Sequence, residues 1–239
     1  MDQALHSIAT LWRLTTARLE GLGAWLAPLG LRLIMAWEFG EAGFEKLRGN
    51  NWFGHIQEDF PFPFNIVSAN VSWFMATWFE IIGALALVLG LFTRFFAFSL
   101  LILTFVATAA VHWPDSWSTL GELWQGYAIT DRGAGNFKLP LLFALMLFPL
   151  VLAGAGKLSL DHLLGRWLLP EPPAARADGL AWSLAGLAFG LPITTLFPAF
   201  GLALVVAGIA GIAWHLFGSL GGTQHQANSG PRRTSRHMP

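Results

Sequence analysis

The 239-residue chain is 54% hydrophobic, carries 14 Lys and Arg against 14 Asp and Glu, and has no cysteine. Charged residues make up 12%, about half the roughly 25% of a soluble domain, so the chain reads as a membrane protein. The zero net charge leaves no basic field for nucleic acid, and the missing thiols exclude disulfides, thiol redox chemistry and thiolate-bound metals.

Residues 1–25 place Leu5, Ile8, Leu11, Trp12, Leu19 and Leu22 near one side, with Arg13, Arg18 and Glu20 among them. There is no compact apolar stretch followed by a small-residue cleavage site, so this segment reads as an amphipathic interfacial helix. A first spanning helix follows at 26–47, about the 20 residues that a bilayer requires. It is apolar yet holds Arg32, Glu38, Glu41, Glu45 and Lys46. The three glutamates share one helical face, and Ala36, Gly40 and Gly43 form the opposite one. The connection to about residue 70 contains His55 and the run Phe60-Pro61-Phe62-Pro63-Phe64. Proline blocks helix there, and the rings should hold the loop against the interface.

The second helix, 71–91, contains one ionisable residue, Glu80. In the third, 95–113, Thr104, Thr108 and His112 recur every four residues and share a face. Thr119-Leu120-Gly121-Glu122 has the form of a capping box and opens a short amphipathic helix, followed by a turn through Asp131, Arg132 and Gly133-Ala134-Gly135. The fourth spanning helix, 137–156, has Pro149 as a kink point. A polar, proline-rich linker at 166–179 leads to two more apolar helices within 180–220, one of them short for a span, and a basic tail at 221–239 that is expected to be disordered.

The expected fold is therefore an all-α membrane bundle: a four-helix core over 26–165 plus two C-terminal transmembrane helices. With six spans, nine Lys and Arg (such as Arg94, Lys157 and Arg166) fall on one side and four (Lys46, Arg48, Arg132 and Lys138) on the other. The positive-inside bias then puts both termini in the cytoplasm. A single span over 180–220 would move the C-terminal arginines outside, against that bias.

Ionisable groups inside a membrane are costly and mark ligand, ion or proton sites. Glu38 and Glu80 fall at equal depth on consecutive antiparallel helices, about 13 Å below the helix ends. They are the candidates for proton handling, and are expected to face each other. Glu41, Glu45, Lys46, Thr108 and His112 lie nearer the outer surface and are candidate ligand-binding residues of an outward-facing vestibule. A metal site would draw on His112 with Glu45 or Glu41. Arg32 is expected to snorkel, to pair with lipid phosphate, or to meet the partners of Arg94 at the cytoplasmic edge.

Arg32, then Gly43-Phe44-Glu45-Lys46-Leu47, then Glu80 before Leu87-Val88-Leu89-Gly90-Leu91-Phe92-Thr93-Arg94, then Lys157-Leu158-Ser159-Leu160-Asp161, together resemble the DoxX family over about residues 28–165. His112-Trp113 at the end of the third helix resembles members linked to copper-binding peptide systems. The resemblance implies a bacterial inner-membrane protein with a role in quinone-linked redox chemistry or oxidative-stress defence. It further implies an accessory subunit beside a membrane or periplasmic redox partner rather than a stand-alone enzyme, and it leaves the cofactor open between a quinone and copper. Two other classes stand beside this one: a metal-handling or small-molecule transport component, and a non-catalytic assembly partner. The helices after residue 179 depart from the four-helix pattern and suggest homo-oligomerisation or partner docking.

Overall fold

In a computed structural model the chain is an all-α membrane protein; residues 2–127, 135–168, 170 and 175–227 are described, and among them there is no strand. The expected turn at Asp131 and Arg132, and residues 228–239 of the tail, lie outside the described residues. Among the described residues eight α-helices follow one another: α1 (Asp2–Arg48), α2 (Ala69–Leu89), α3 (Thr93–Ala107, continued by a π-turn over Thr108–His112), α4 (Leu120–Gln125), α5 (Lys138–Ala153), α6 (Leu160–Leu168), α7 (Gly179–Ile193) and α8 (Pro198–Ala227). Among the described residues four helical stretches are long and apolar enough to cross a membrane: Leu5–Arg48, Ala69–Leu89, Thr93–His112 and Pro198–Phe217. The apolar helices α5 and α7 are shorter.

The chain divides into two compact units, one built on α1 to α6 and one on α7 and α8. In the first, α1, α2, α3 and α5 pack around Met35, Leu87, Leu100, Leu101, Leu147 and Leu150, all fully or almost fully buried. Trp37, Phe74, Leu85 and Leu145 point outward at 60% exposure or more. Large apolar side chains on the outer faces are what lipid contact requires.

The expected amphipathic segment and the first span are one helix, α1, with Pro28 inside it. Proline cannot donate to the carbonyl four residues back, and the freed Ala24 carbonyl instead accepts the Lys157 N–H at 3.1 Å. The crossing chain is close: a Cβ on Gly156, at φ +74°, would stand 2.8 Å from the Pro28 ring. On the N-terminal side of this crossing, Leu5, Ile8, Trp12 and Leu19 remain exposed, and the hydroxyls of Thr10, Thr15 and Thr16 donate to carbonyls four residues back.

The end of the bundle where this crossing lies is fixed by charges on helix termini. Arg32 is fully buried rather than snorkelling. Its guanidinium donates to the carbonyls of Leu87 and Val88, at the C-terminus of α2, and to that of Leu158. A cation there satisfies carbonyls that no further turn can use and complements the helix dipole. Gly90 ends α2 at φ +64°, and a Cβ on it would run into Arg32 and Ser159, so both the backbone and the space call for glycine. The Asp161 carboxylate accepts the N–H groups of Phe92 (2.7 Å) and Thr93 (2.9 Å) and so caps α3 from a distant segment. Arg94 donates to the Val151, Leu152 and Ala153 carbonyls at the end of α5.

The N-cap half of the capping box forms as its spacing predicts, Thr119 accepting the Glu122 N–H, while the Glu122 carboxylate reaches one residue further back and accepts the N–H of Ser118. In the second unit α7 and α8 make an antiparallel hairpin over small residues. A Cβ on Gly190 would lie 3.0 Å from the Gly201 carbonyl oxygen, and one on Gly208 would lie 2.8 Å from the Leu187 nitrogen. Such close backbones are how helices associate where lipid removes the hydrophobic drive.

Candidate functional site: a roofed cavity with an internal ion pair

The face that α1 turns to α2 decides the site. Gly40 and Gly43 lie against α2: a Cβ on Gly40 would sit 3.6 Å from Ala84 Cβ, and one on Gly43 only 2.7 Å from Ile81 and 3.0 Å from Glu80. The small face therefore meets α2, and the acidic face on the opposite side of the helix is turned away. Glu38 is half-buried, and Glu41 and Glu45 are exposed. Glu80 consequently does not meet Glu38. Its partner is Lys46, which lies about 60° around the helix from Gly43. The Lys46 Nζ stands 3.0 Å from Oε1 and 2.9 Å from Oε2 of Glu80. The Glu80 side chain is 4% exposed and that of Lys46 18%. A carboxylate in this setting is tolerable because the ammonium shares its charge and donates to both oxygens.

The pair lines a cavity of about 630 Å³ bounded by the end of α1, by α2, by α3 and by the loop between α1 and α2. That volume lies within the 300–1,000 Å³ of small-molecule sites. The walls are predominantly apolar. Lys46, Glu80, Ser72, Ser99 and His112 are the polar residues among them. Ser99 is occupied with the Phe95 carbonyl at 2.9 Å, whereas the buried hydroxyl of Ser72 has no protein partner. His112 comes to the cavity at the end of the π-turn. Such a turn adds a residue to the helical cycle and is frequent at functional sites. Thr108 lines no part of the cavity: it is buried and donates to the Thr104 carbonyl at 2.6 Å.

The loop is a roof. Phe53 and Phe60 are buried against Ala76 of α2, and Phe53 meets the ring of Trp73 edge-on at 5.0 Å and that of Phe60 at 5.2 Å. Gln57 ties the loop to itself through the carbonyls of Asn65 and Val67, and Asn51 bonds Asn70 at 2.9 Å. The Phe-Pro run suggested a loop held down by aromatic rings. It did not reveal that the rings enclose a space.

The structure thus brings Glu80, Lys46 and His112 to one cavity and leaves Glu38, Glu41, Glu45 and Thr108 outside its walls. Among the described residues, no three His, Asp or Glu side chains converge where they could hold a metal ion. In the reading that paired His112 with Glu41 or Glu45, the two carboxylates are on the face of α1 turned from α2.

Comparison with known proteins agrees with this architecture. The family profile described as DoxX matches residues 27–113, a stretch that holds Arg32, Gly43, Lys46, Glu80, Gly90 and His112. A protein of Haemophilus influenzae, described only as uncharacterized, is 44% identical over 147 residues, which cover 62% of this chain and 89% of the relative. No solved structure matches the chain. With Arg32, the Gly43 contact, the paired Lys46 and Glu80 and the Gly90 turn all inside the matched stretch, the chain belongs to the DoxX family.

Proposed function

We propose that this protein is an accessory membrane subunit of a quinone-linked redox or oxidative-stress system, and that the roofed cavity holds the quinone head group. The observation that carries the reading is the Lys46–Glu80 pair lining a largely apolar cavity inside a membrane bundle. A quinone is apolar apart from its ring oxygens, and needs an apolar, aromatic-lined space with a few placed polar groups. The Lys46 ammonium is a donor for a quinone oxygen. The Glu80 carboxylate is an acceptor for a quinol hydroxyl, so one pair serves both redox states. Proton handling then belongs to Glu80 with Lys46, and Glu38 has no part in it.

In this reading the chain sits in the bacterial inner membrane as a multi-pass protein with both termini in the cytoplasm, following the Lys and Arg asymmetry, and the roofed end opens to the periplasmic side. A membrane or periplasmic partner supplies or takes the electrons. The test is titration of the purified protein with short-chain ubiquinone and menaquinone analogues. Binding that weakens at least about tenfold in Glu80→Gln, the loss of roughly one charge-assisted hydrogen bond, supports the reading. No binding across the series overturns it.

A further inference from the structure

Resting on the quinone reading, the geometry points to a further property of the same cavity: we infer that it grips the ring from two opposite edges, with His112 at one and the Lys46–Glu80 pair at the other. The site would then select rings with oxygens at the 1 and 4 positions.

The register of the helices sets the distance between the two polar ends. A Cβ on Gly83 would touch Leu100 at 3.1 Å, so these two residues lie level on antiparallel α2 and α3. Glu80, three residues nearer the roofed end on α2, is then level with about Leu103 of α3, and both line the cavity. From Leu103 to His112 is nine residues, or about 13 Å along the axis at 1.5 Å per residue. Lys46 does not shorten that distance. Gly43 is level with Glu80 and Ile81, and Lys46 lies one turn beyond and reaches back to the carboxylate.

Side chains on a helix lean toward its N-terminus. The N-terminus of α2 is at the roofed end, so Glu80 leans outward toward the level of His112. The N-terminus of α3 is at the opposite end, so His112 leans inward toward Glu80. The two polar ends lean toward each other across an apolar middle walled by side chains such as Ala76 and Val106. A gap of this form does not let one oxygen reach both ends. A flat ring with an oxygen on each of two opposite edges fills it, each oxygen within the roughly 2.7–3.2 Å of a hydrogen bond. Neighbouring oxygens on one edge would serve one end and leave the other buried and unpartnered, which is the larger penalty.

The experiment compares a 2-alkyl-1,4-naphthoquinone with the 2-alkyl-1-naphthol that keeps one oxygen and the same chain, using the full chain in lipid nanodiscs. The wild-type protein should bind the quinone at least about tenfold more tightly. His112→Leu should reduce quinone binding to the level of the naphthol, which the charged pair continues to hold, while His112→Gln, which keeps a donor, should retain most of the preference. The comparison on the wild-type protein requires no variant to fold. Equal binding of the two ligands, or a preference that survives His112→Leu, overturns the two-ended grip and leaves the quinone reading standing. Binding of neither ligand overturns both.

Discussion

Lys46 and Glu80, thirty-four positions apart, meet with the Lys46 Nζ 3.0 and 2.9 Å from the two carboxylate oxygens, and each completes the other. A lone carboxylate among α2, α3 and an aromatic roof would face a desolvation penalty of several kcal/mol, as would a lone ammonium. Replacing Glu80 with Leu should therefore destabilise the protein by about 3 kcal/mol, because the Lys46 ammonium is left behind with reduced access to water. Combining it with Lys46→Met should recover most of that loss. A double-mutant cycle of detergent-solubilised protein, followed by thermal unfolding, measures the coupling. Additive losses would mean that the pair is not the unit described here.

The pair exists because α1 approaches α2 through glycine. Gly43→Val should push the helices apart, since its Cβ would already stand 2.7 Å from Ile81, and branched atoms only add to the overlap. We expect a loss of about 2 kcal/mol or more, together with quinone binding weakened as severely as in Glu80→Gln. Gly40→Ala places its Cβ at an ordinary 3.6 Å from Ala84 and should leave both stability and binding near wild type. Parallel unfolding and ligand titrations of the two variants check the contrast.

At the opposite end of the bundle the same logic separates architecture from chemistry. Arg32→Ala should cost about 3 kcal/mol, because it strips a buried cation from the α2 carbonyls and leaves them without donors. Gly90→Ala should be similarly damaging, since φ +64° and the Arg32 side chain both oppose a Cβ. Asp161→Ala, which uncaps α3, should cost about 1 kcal/mol. Fractions of these variants that remain folded should bind ligand as the wild type does, which titration of the purified, correctly folded fraction would read out.

Glu41→Gln and Glu45→Gln supply the control. Both residues are exposed and outside the cavity walls, so neither change should move ligand affinity by more than about twofold, within the range of surface substitutions. A larger loss in the same titration would restore the acidic face of α1 to the site.

Much of this arrangement was readable in the chain. Apolar runs of about bilayer length mark the helices, and the Phe-Pro run and the proline-rich linker mark connections between them, because proline ends what long hydrophobic stretches begin. Glu80, Lys46 and His112 stood out as polar groups in lipid-soluble segments. What could not be read was which face of α1 would meet α2. Both the glutamates and the glycines keep a regular helical spacing, and the choice rests on how closely two backbones can approach, which Gly43 decides. The burial of Arg32 was hidden for a related reason. Its partners are main-chain carbonyls of α2 and of Leu158, and main-chain groups carry no mark in a sequence. The roof was half legible: aromatic residues and prolines announced an ordered loop, but the cavity beneath it depends on Phe53 and Phe60 packing on Ala76. That α1 runs unbroken through Pro28 is hidden for the same reason as the burial of Arg32: the carbonyl freed there is taken up by the main-chain N–H of Lys157.

A quinone under the Phe-Pro loop beside Lys46 and Glu80 lies within reach of a photoreactive ring substituent. Photo-crosslinking with an azido-quinone, followed by peptide mapping, tests that placement most directly. Labelling should fall in the roof segment 52–67 and in the stretch of α3 and its π-turn from Ser99 to His112, should be lost in Glu80→Gln and should be competed away by unlabelled quinone. Labelling confined to other helices, such as α7 and α8, and indifferent to Glu80 would contradict it.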